Sequence, residues 1–591
     1  MAMIETHANI ESGDRLAVRT FAELLQYRAA HHPEGWAYSF LPDDSELECD
    51  FTYGQLHAKA LEIGAELQRR LVPGDRAILL LPTCFEFVAA FFACLYAGII
   101  AVPANVHLHG RMSAQAQRLQ ALSSDAGAAA VITLQSWTER GKKALGESGY
   151  QWISADALEP SHFRCVPEPP RESDIALLQY TSGSTSSPKG VMVTHRNLMH
   201  NAFCNMSMFP TSPGPLVGWL PLYHDMGLVG CMLQPLYRGQ AAVLMSPVSF
   251  LYYPLRWLRT ISRFRASQSG GPDFAYRLCV ERIPPERRKG LDLSSWKVAF
   301  NGSEPVRAET LDLFTAAFEE CGFQRSTFYP CYGLAEATLS VSGTKKEMEP
   351  RVESIGMAAL ESGQVNVATK PEAGSRKIAA SGHVNAQMRV AIVDPKSQQE
   401  CSSREIGEIW VAGESVADGY WKRSEDTEKV FHARLPQYPG MLFMRTGDLG
   451  FLSEDHLFVS GRLKDLIVIG GKNHYPQDLE LTAQNAHPAL RNGVIGAFSI
   501  EDPPGDEVLV ILAELNIKAA ERAATGGVEE IRRSVMRAIA EEHELNCRTV
   551  ELVESGTLPR TSSGKLQRFG CRELYLKGSL RQPDCEIAYA D

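Results

Sequence analysis

Between residues 20 and 135 the chain alternates two hydrophobic periods. TFAELLQYRAAHHP and FTYGQLHAKALEIGAELQRRL repeat apolar positions every three or four residues and predict helices, whereas DRAILLLP and AAVIT are short apolar runs that predict buried strands. Such alternation argues for an α/β fold with a largely parallel sheet. One segment, FVAAFFACLYAGIIAVPA from Phe87 to Ala104, carries no charge over about 18 residues, close to the length of a membrane span. Gly98 and Pro103 divide it, so it reads as a buried helix followed by a strand, and no stable membrane insertion is expected. Further on, HRNLMHNAFCNMSMF reads as helix, LVGWLPL and AAVLMS as extended runs, and WKVAFNGSEPV as a strand that delivers a glycine turn ahead of the helix RAETLDLFTAAFEECGF.

From about Gly343 to Val384 the chain becomes polar, is broken by Gly and Pro, and loses any long period, as expected of a solvent-exposed insertion. Residues 386 to 460 (QMRVAIVD, GEIWVAG, LFMRTGDLGFL, HLFVSG) predict a small β-rich subdomain. Beyond Arg462 come DLIVIGG, an acidic helix from Pro476, RNGVIGAFSI, DEVLVILAEL, and a helix with Val528, Ile531, Val535 and Ile539 on one face. A chain of 591 residues exceeds what one core organises. The expected division is a large multi-lobed N-terminal domain over 1–461, a hinge at 462–465, and a small mobile α+β domain over 466–591.

Composition narrows the function mainly by exclusion. At 44% apolar and 22% charged the chain is an ordinary globular protein, and a net charge of -11 with no Lys/Arg stripe argues against nucleic acid as a partner. The 13 cysteines form no C-x-x-C pair and fall mostly inside apolar runs, which fits reduced cytoplasmic thiols rather than disulfides or a zinc site. The start, MAMIETHANIESGD, has neither a basic nor an apolar signal region.

The chemistry concentrates in loops at the ends of apolar runs. LLQYTSGSTSSPKGVMVTH, Leu177 to His195, packs Thr181, Ser182, Gly183, Ser184, Thr185, Ser186, Ser187 and Lys189 between two strand-like runs. Glycine exposes backbone N–H groups, the hydroxyls donate to phosphate oxygens and the lysine adds a point charge, so this is a phosphate-handling composition. It is not a G-x-x-x-x-G-K-[ST] loop, because Lys189 precedes Gly190 and a β-branched run follows. YHDMG places His224 beside a carboxylate; NGSEP (Gly302, Ser303, Glu304, Pro305) and YGLAEAT (Tyr332, Gly333, Glu336) couple glycine turns to glutamates. An aromatic before such a turn can stack on a base, and a glutamate there can hold a hard metal ion. RTGDLG offers Asp448 on a tight turn, and LPRTSSGKLQR carries Lys565 in a second Ser/Gly loop.

In series, LQYTSGSTSSPKG, WLPLYHDMG, FNGSEP, YGLAEAT, GEIWVAG, RTGDLG, GRLKD and RTSSGK resemble the adenylate-forming superfamily of acyl-CoA synthetases, luciferases and peptide-synthetase adenylation domains, from Thr52 to Lys565. Within it HDMGL, LDLSSW, FNGSEPV, CYGLAEATL and GKNHYPQDLE resemble the fatty-acyl-AMP ligases. The resemblance implies attack of a fatty-acid carboxylate on the α-phosphate of ATP with Mg²⁺, giving acyl-adenylate and pyrophosphate. It implies that Thr181 to Lys189 hold the β- and γ-phosphates, Glu336 ligates Mg²⁺, and Gly302 to Pro305 with Tyr332 and Gly333 enclose adenine. Asp448 would bind the ribose, with Arg462 beside it. Lys565 would bridge the α-phosphate and the carboxylate, His224 would line the carboxylate site, and Lys464 would sit at the hinge. Ala335 replaces the threonine most of the superfamily carries before the glutamate, as in the fatty-acyl-AMP ligases. The block from Gly343 to Val384 resembles their insertion, which implies transfer to an acyl carrier protein supplied in trans rather than to CoA. The competing readings are a fatty acyl-CoA synthetase and a catalytically silent scaffold subunit. Tunnel walls for the acyl tail are expected around Leu228 to Leu233 and in SGGPDFAY from Ser269.

Overall fold

The computed structural model describes residues 18–43, 49–105, 112–146, 149–158, 164–167, 169–181, 188–208, 213–345, 348–367, 375–490, 494–502, 507–515, 527–560 and 565–581. The uncharged segment lies in the helix Phe85–Ala97 and the strand Ile100–Pro103, with every residue of both except Glu86 buried. Gly98 ends the helix with φ 67°, a left-handed conformation that glycine adopts without a Cβ clash. Among the described residues no helix is long and apolar enough to cross a membrane. The preceding helix, Tyr53–Arg70, starts at a capping box in which Thr52 and Gln55 satisfy each other's backbone N–H.

Two sheets carry this mixed α/β fold. One runs Gln151–Ser154, Ala130–Thr133, Arg76–Leu80, Ile100–Pro103, Ile175–Thr181, Lys189–Thr194, parallel throughout except for the last strand. That last pair is the hairpin flanking the Ser/Gly loop, as the two apolar runs predict. The larger sheet has at its centre the parallel strands Leu216–Gly218, Gln268–Gly271, Val298–Asn301 and Phe328–Gly333. The strands Arg389–Val393, Gly407–Ala412, Met444–Ser453 and His456–Arg462 of the β-rich subdomain form one antiparallel end of that same sheet. Parallel strands need crossover connections, and the helices Pro254–Phe264 and Ala308–Phe318 belong to these, their apolar sides closing the core over Trp257, Trp296 and Phe314.

After Arg462 a separate cluster of buried side chains forms around Leu479, Leu509, Ile511, Ile531, Val535 and Ile539. It lies between the strands Ile495–Glu501, Glu507–Leu515 and Cys547–Glu554 and the helices Pro476–Ala486 and Gly527–His543.

The block from Gly343 to Val384 departs from the expectation of an exposed insertion. Its strands Val352–Gly356 and Ser375–Ala379 pair as a hairpin, and Ile355, Leu360, Val365 and Ile378 are buried with Leu449, Phe451, Phe458 and Tyr475. A two-stranded hairpin hides only one face, so its apolar residues are too sparse to announce a core. It is fastened at Arg376, whose Nε lies 3.0 Å from Asp478 Oδ1 and whose guanidinium lies over the Tyr475 ring, and at Glu361, 3.1 Å from Lys472 Nζ.

Candidate active site

The C-terminal ends of Gln268–Gly271, Val298–Asn301 and Phe328–Gly333 stand side by side, since Gly271 pairs with Asn301 and Asn301 with Pro330. The loops that leave them open into one cleft of about 1830 Å³, the position at which open α/β sheets bind ligands. Two of these loops depend on glycine. A Cβ on Gly302 would lie 2.8 Å from the Cys331 carbonyl oxygen, and one on Gly333 would collide with the carbonyl of Leu339. Ser303 holds φ 71° without being glycine, a strained conformation of the kind found at ligand sites.

Glu304 accepts from the Phe274 N–H at 2.7 Å. Burial, and then the neighbouring Asp273, push its carboxyl up to about 7, while Lys565 and Arg307 act against the rise. Asp273 is itself held by Asn301 Nδ2 at 3.0 Å and Thr310 Oγ1 at 2.7 Å. A carboxyl whose folded pKa is raised binds more protons in the folded state between about 4.5 and 7. The stability it contributes is therefore complete below about 4.5 and is lost as pH rises through about 7. Glu304→Gln is expected to flatten the fall in melting temperature across that window; an unchanged pH profile in thermal unfolding would contradict this assignment.

Glu336 sits in a tight turn, Ala335–Ala337, and its Oε1 accepts from the Tyr420 hydroxyl at 2.8 Å. Burial raises its pKa, and the Tyr420 hydrogen bond opposes the rise. Lys189 Nζ lies 2.9 Å from Asp426 Oδ2 and 5.1 Å above the Tyr420 ring, so the lysine of the first loop and the glutamate meet on one tyrosine. Asp448 is 6% exposed; Tyr332 donates to its Oδ2 at 2.8 Å and Arg462 Nε to its Oδ1 at 3.0 Å. Each carboxylate oxygen keeps a further lone pair for a hydroxyl.

His224 Nδ1 lies 2.6 Å from Asp225 Oδ1, which also accepts from the Met226 N–H and caps an eight-residue π-helix, Met226–Leu233. Burial works to raise the Asp225 carboxyl, but His224, the Met226 N–H and Lys565 outweigh it and hold it below its usual range. Lys565 stands within electrostatic reach of Glu304, Asp225, Arg462 and Asp448, and burial pushes its ammonium down from its usual value. The turn Leu463–Asp465 is held by Arg568, which donates to Asp465 at 3.1 Å and forks onto Glu480 at 2.7 Å twice.

Thr181, Lys189, His224, Ser303, Glu304, Pro305, Tyr332, Gly333, Glu336, Asp448, Arg462, Lys464 and Lys565 all line this one cleft. Gly302 supports its wall without lining it, and Ser182, Gly183, Ser184 and Thr185 lie outside the described residues. Sequence reasoning missed Tyr420, Asp426 and Arg568. The only signal for Tyr420 was an aromatic pair after Gly419, and nothing in the chain ties it to Glu336, 84 residues away.

A family model described as "AMP-binding enzyme" matches residues 25–421, and one described as "Disco-interacting protein 2-like, AMP domain" matches residues 464–584. The medium-chain-fatty-acid–[acyl-carrier-protein] ligase JamA of Moorena producens is 42% identical over 577 residues, covering 96% of this chain and 97% of that one. The crystal structure of a fatty acyl-adenylate ligase from L. pneumophila in complex with acyl adenylate and pyrophosphate shares 37% identity at a TM-score of 0.74, over 95% of this chain and 97% of that chain. A structure from a study of fatty acyl-adenylate ligases from E. coli and L. pneumophila aligns at a TM-score of 0.86 with 31% identity, over 96% and 99%.

Proposed function

The chain belongs to the AMP-binding enzyme family, and on that premise we propose that it is a fatty-acyl-AMP ligase. It joins a fatty acid to ATP as acyl-adenylate with release of pyrophosphate, then passes the acyl group to the phosphopantetheine thiol of a separate acyl carrier protein. The observation that carries this reading is the meeting of Lys565, from the far end of the chain, with Glu304, Asp225, Asp448 and Arg462 in one cleft.

Adenylation brings two anions together, so the protein's task is to position them and to stabilise charge on the α-phosphoryl oxygens. Tyr332 and the turn Gly302 to Pro305 face the adenine, and Asp448, oriented by Tyr332 and Arg462, accepts from the ribose hydroxyls. Lys565 reaches both the carboxylate and the α-phosphate; His224, held by Asp225, borders the carboxylate. The first loop with Thr181 and Lys189 grips the departing pyrophosphate.

Among the described residues no three His, Cys, Asp or Glu side chains converge as a metal cage. A Mg²⁺ ion needs only one or two carboxylates and takes its other oxygens from phosphate and water, which fits a single half-buried Glu336 fixed by Tyr420. Bound there, the ion would neutralise phosphate charge. Tyr420→Phe frees the Glu336 carboxylate to rotate and is expected to raise the Mg²⁺ concentration needed for half-maximal pyrophosphate release by about tenfold; an unchanged Mg²⁺ dependence would rule this role out.

The chain divides into a domain over 1–461 and a domain over 466–591 that turns about Lys464 between the two half-reactions. The cytoplasm suits its free thiols. Incubation with laurate, ATP and Mg²⁺, with either CoA or a holo carrier protein, tests the acceptor. Acyl carrier is the expected product, and abundant acyl-CoA would replace this reading with a fatty acyl-CoA synthetase.

A further inference from the structure

The lining of the cleft is not uniformly apolar. Met226, Leu216, Leu339 and Gly230 line it, and a Cβ on Gly230 would have only the Leu339 methyl within contact at 3.4 Å, as a passage for an alkyl tail requires. Three amide side chains line the same cleft: Asn205, Gln234 and Gln268, only 2%, 4% and 3% exposed. Each has one polar atom without a hydrogen-bond partner: Asn205 Oδ1, Gln234 Oε1 and Gln268 Nε2. The first two amides are oriented by their nitrogens, because Asn205 Nδ2 donates to Asn201 Oδ1 and Gln234 Nε2 to the Ala202 carbonyl, both at 3.2 Å. Buried polar atoms are paired in nearly all proteins, so three unmet ones around one ligand cavity call for a partner that arrives with the ligand.

We propose that Asn205, Gln234 and Gln268 form a specificity subsite for an uncharged hydroxyl carried on the tail of the fatty acid. This rests on the adenylate-forming reading above. A hydroxyl donates once, to one of the two carbonyl oxygens, and accepts from the Gln268 N–H, so it meets one acceptor and the one donor of this set. A terminal methyl leaves all three unmet, a carboxylate meets two carbonyl oxygens that repel it, and an ammonium meets the Gln268 N–H.

The subsite is placed away from the reacting end. Gln268 begins the strand that ends at Gly271, and three steps of about 3.3 Å put it about 10 Å back from that end, beyond which the helix Asp273–Arg282 starts. It pairs with Leu216 on the next strand, so the apolar and polar walls adjoin at that depth. Gly270, two residues on and on the same face, has no side chain of its own, and the Phe300 ring, which also lines the cleft, packs over it.

The test compares acyl-adenylate formation from a series of ω-hydroxy acids of increasing length with that from the plain alkanoic acid of each length. In the parent, kcat/KM is expected to favour the hydroxy acid by about tenfold or more at one length, where the tail reaches the subsite. Gln268→Leu and Asn205→Leu should each abolish that preference while the plain acid is still adenylated at an equal or higher rate. A parent that prefers the plain acid at every length overturns the subsite and leaves the ligase reading standing. The same preference in parent and both variants also overturns it. Adenylate from neither acid would remove the ligase reading and this proposal together.

Discussion

Lys565→Ala is expected to slow acyl-adenylate formation by about 10² to 10³-fold, the usual cost of removing one preorganised charge from a developing oxyanion. The reason lies in what surrounds the lysine. Glu304, Asp225 and Asp448 attract its ammonium and Arg462 repels it, so Lys565 is a cation held among charged groups in the cleft where carboxylate and phosphate must approach. Nucleotide binding should survive the substitution within a few-fold, because Tyr332, Asp448 and Arg462 hold one another without Lys565. Pyrophosphate release separates the two effects from calorimetric ATP affinity, since a contact made only in the transition state lowers kcat and leaves affinity alone. Equal rates in variant and parent would take Lys565 out of the reaction and would also weaken the placement of the domain that delivers it. Lys189, by contrast, is tied to Asp426 and Tyr420, which suits a supporting charge beside the phosphates.

Much of this architecture was legible in the chain because it rests on strong periods and on loops whose composition has one use. Phe85–Ala97 and Ile100–Pro103 were separable from a membrane span by Gly98 and Pro103, and the two runs flanking the Ser/Gly loop pair as read. What escaped has physical causes. The π-helix Met226–Leu233 is uniformly apolar, so no period distinguishes it from an α-helix. The amides of Asn205, Gln234 and Gln268 lie far apart in sequence inside apolar surroundings, and only folding brings them to one cavity. Tyr420 acts through a single hydroxyl on Glu336, a contact that leaves no trace in local pattern. The hairpin Val352–Gly356 with Ser375–Ala379 looked polar because its buried face is small and is completed by Leu449, Phe458 and Tyr475 from other segments.

That hairpin is the ground for the second large effect. Arg376→Ala is expected to loosen the attachment of the 466–591 region and to let acyl-CoA form where the parent forms little. Arg376 and Asp478 are 14% and 16% exposed, and burial already raises the Asp478 carboxyl despite the guanidinium at 3.0 Å. Removing the arginine leaves that carboxylate enclosed without its partner, at a cost of about 3 kcal/mol for a buried pair broken on one side, or a factor on the order of 10² in the docking equilibrium. The substitution also strips the cation from above the Tyr475 ring, while Leu360 and Val365 stay packed in the same cluster, so the hairpin itself should keep its fold. Faster hydrogen exchange at Ile467–Ile469, Lys472–His474 and Pro476–Ala486 should accompany the new acyl-CoA, with adenylate formation from the same acid changed far less. Unchanged exchange together with unchanged acyl-CoA would show that the hairpin does not restrain the domain. Faster exchange without acyl-CoA would place the choice of acceptor elsewhere than in this attachment.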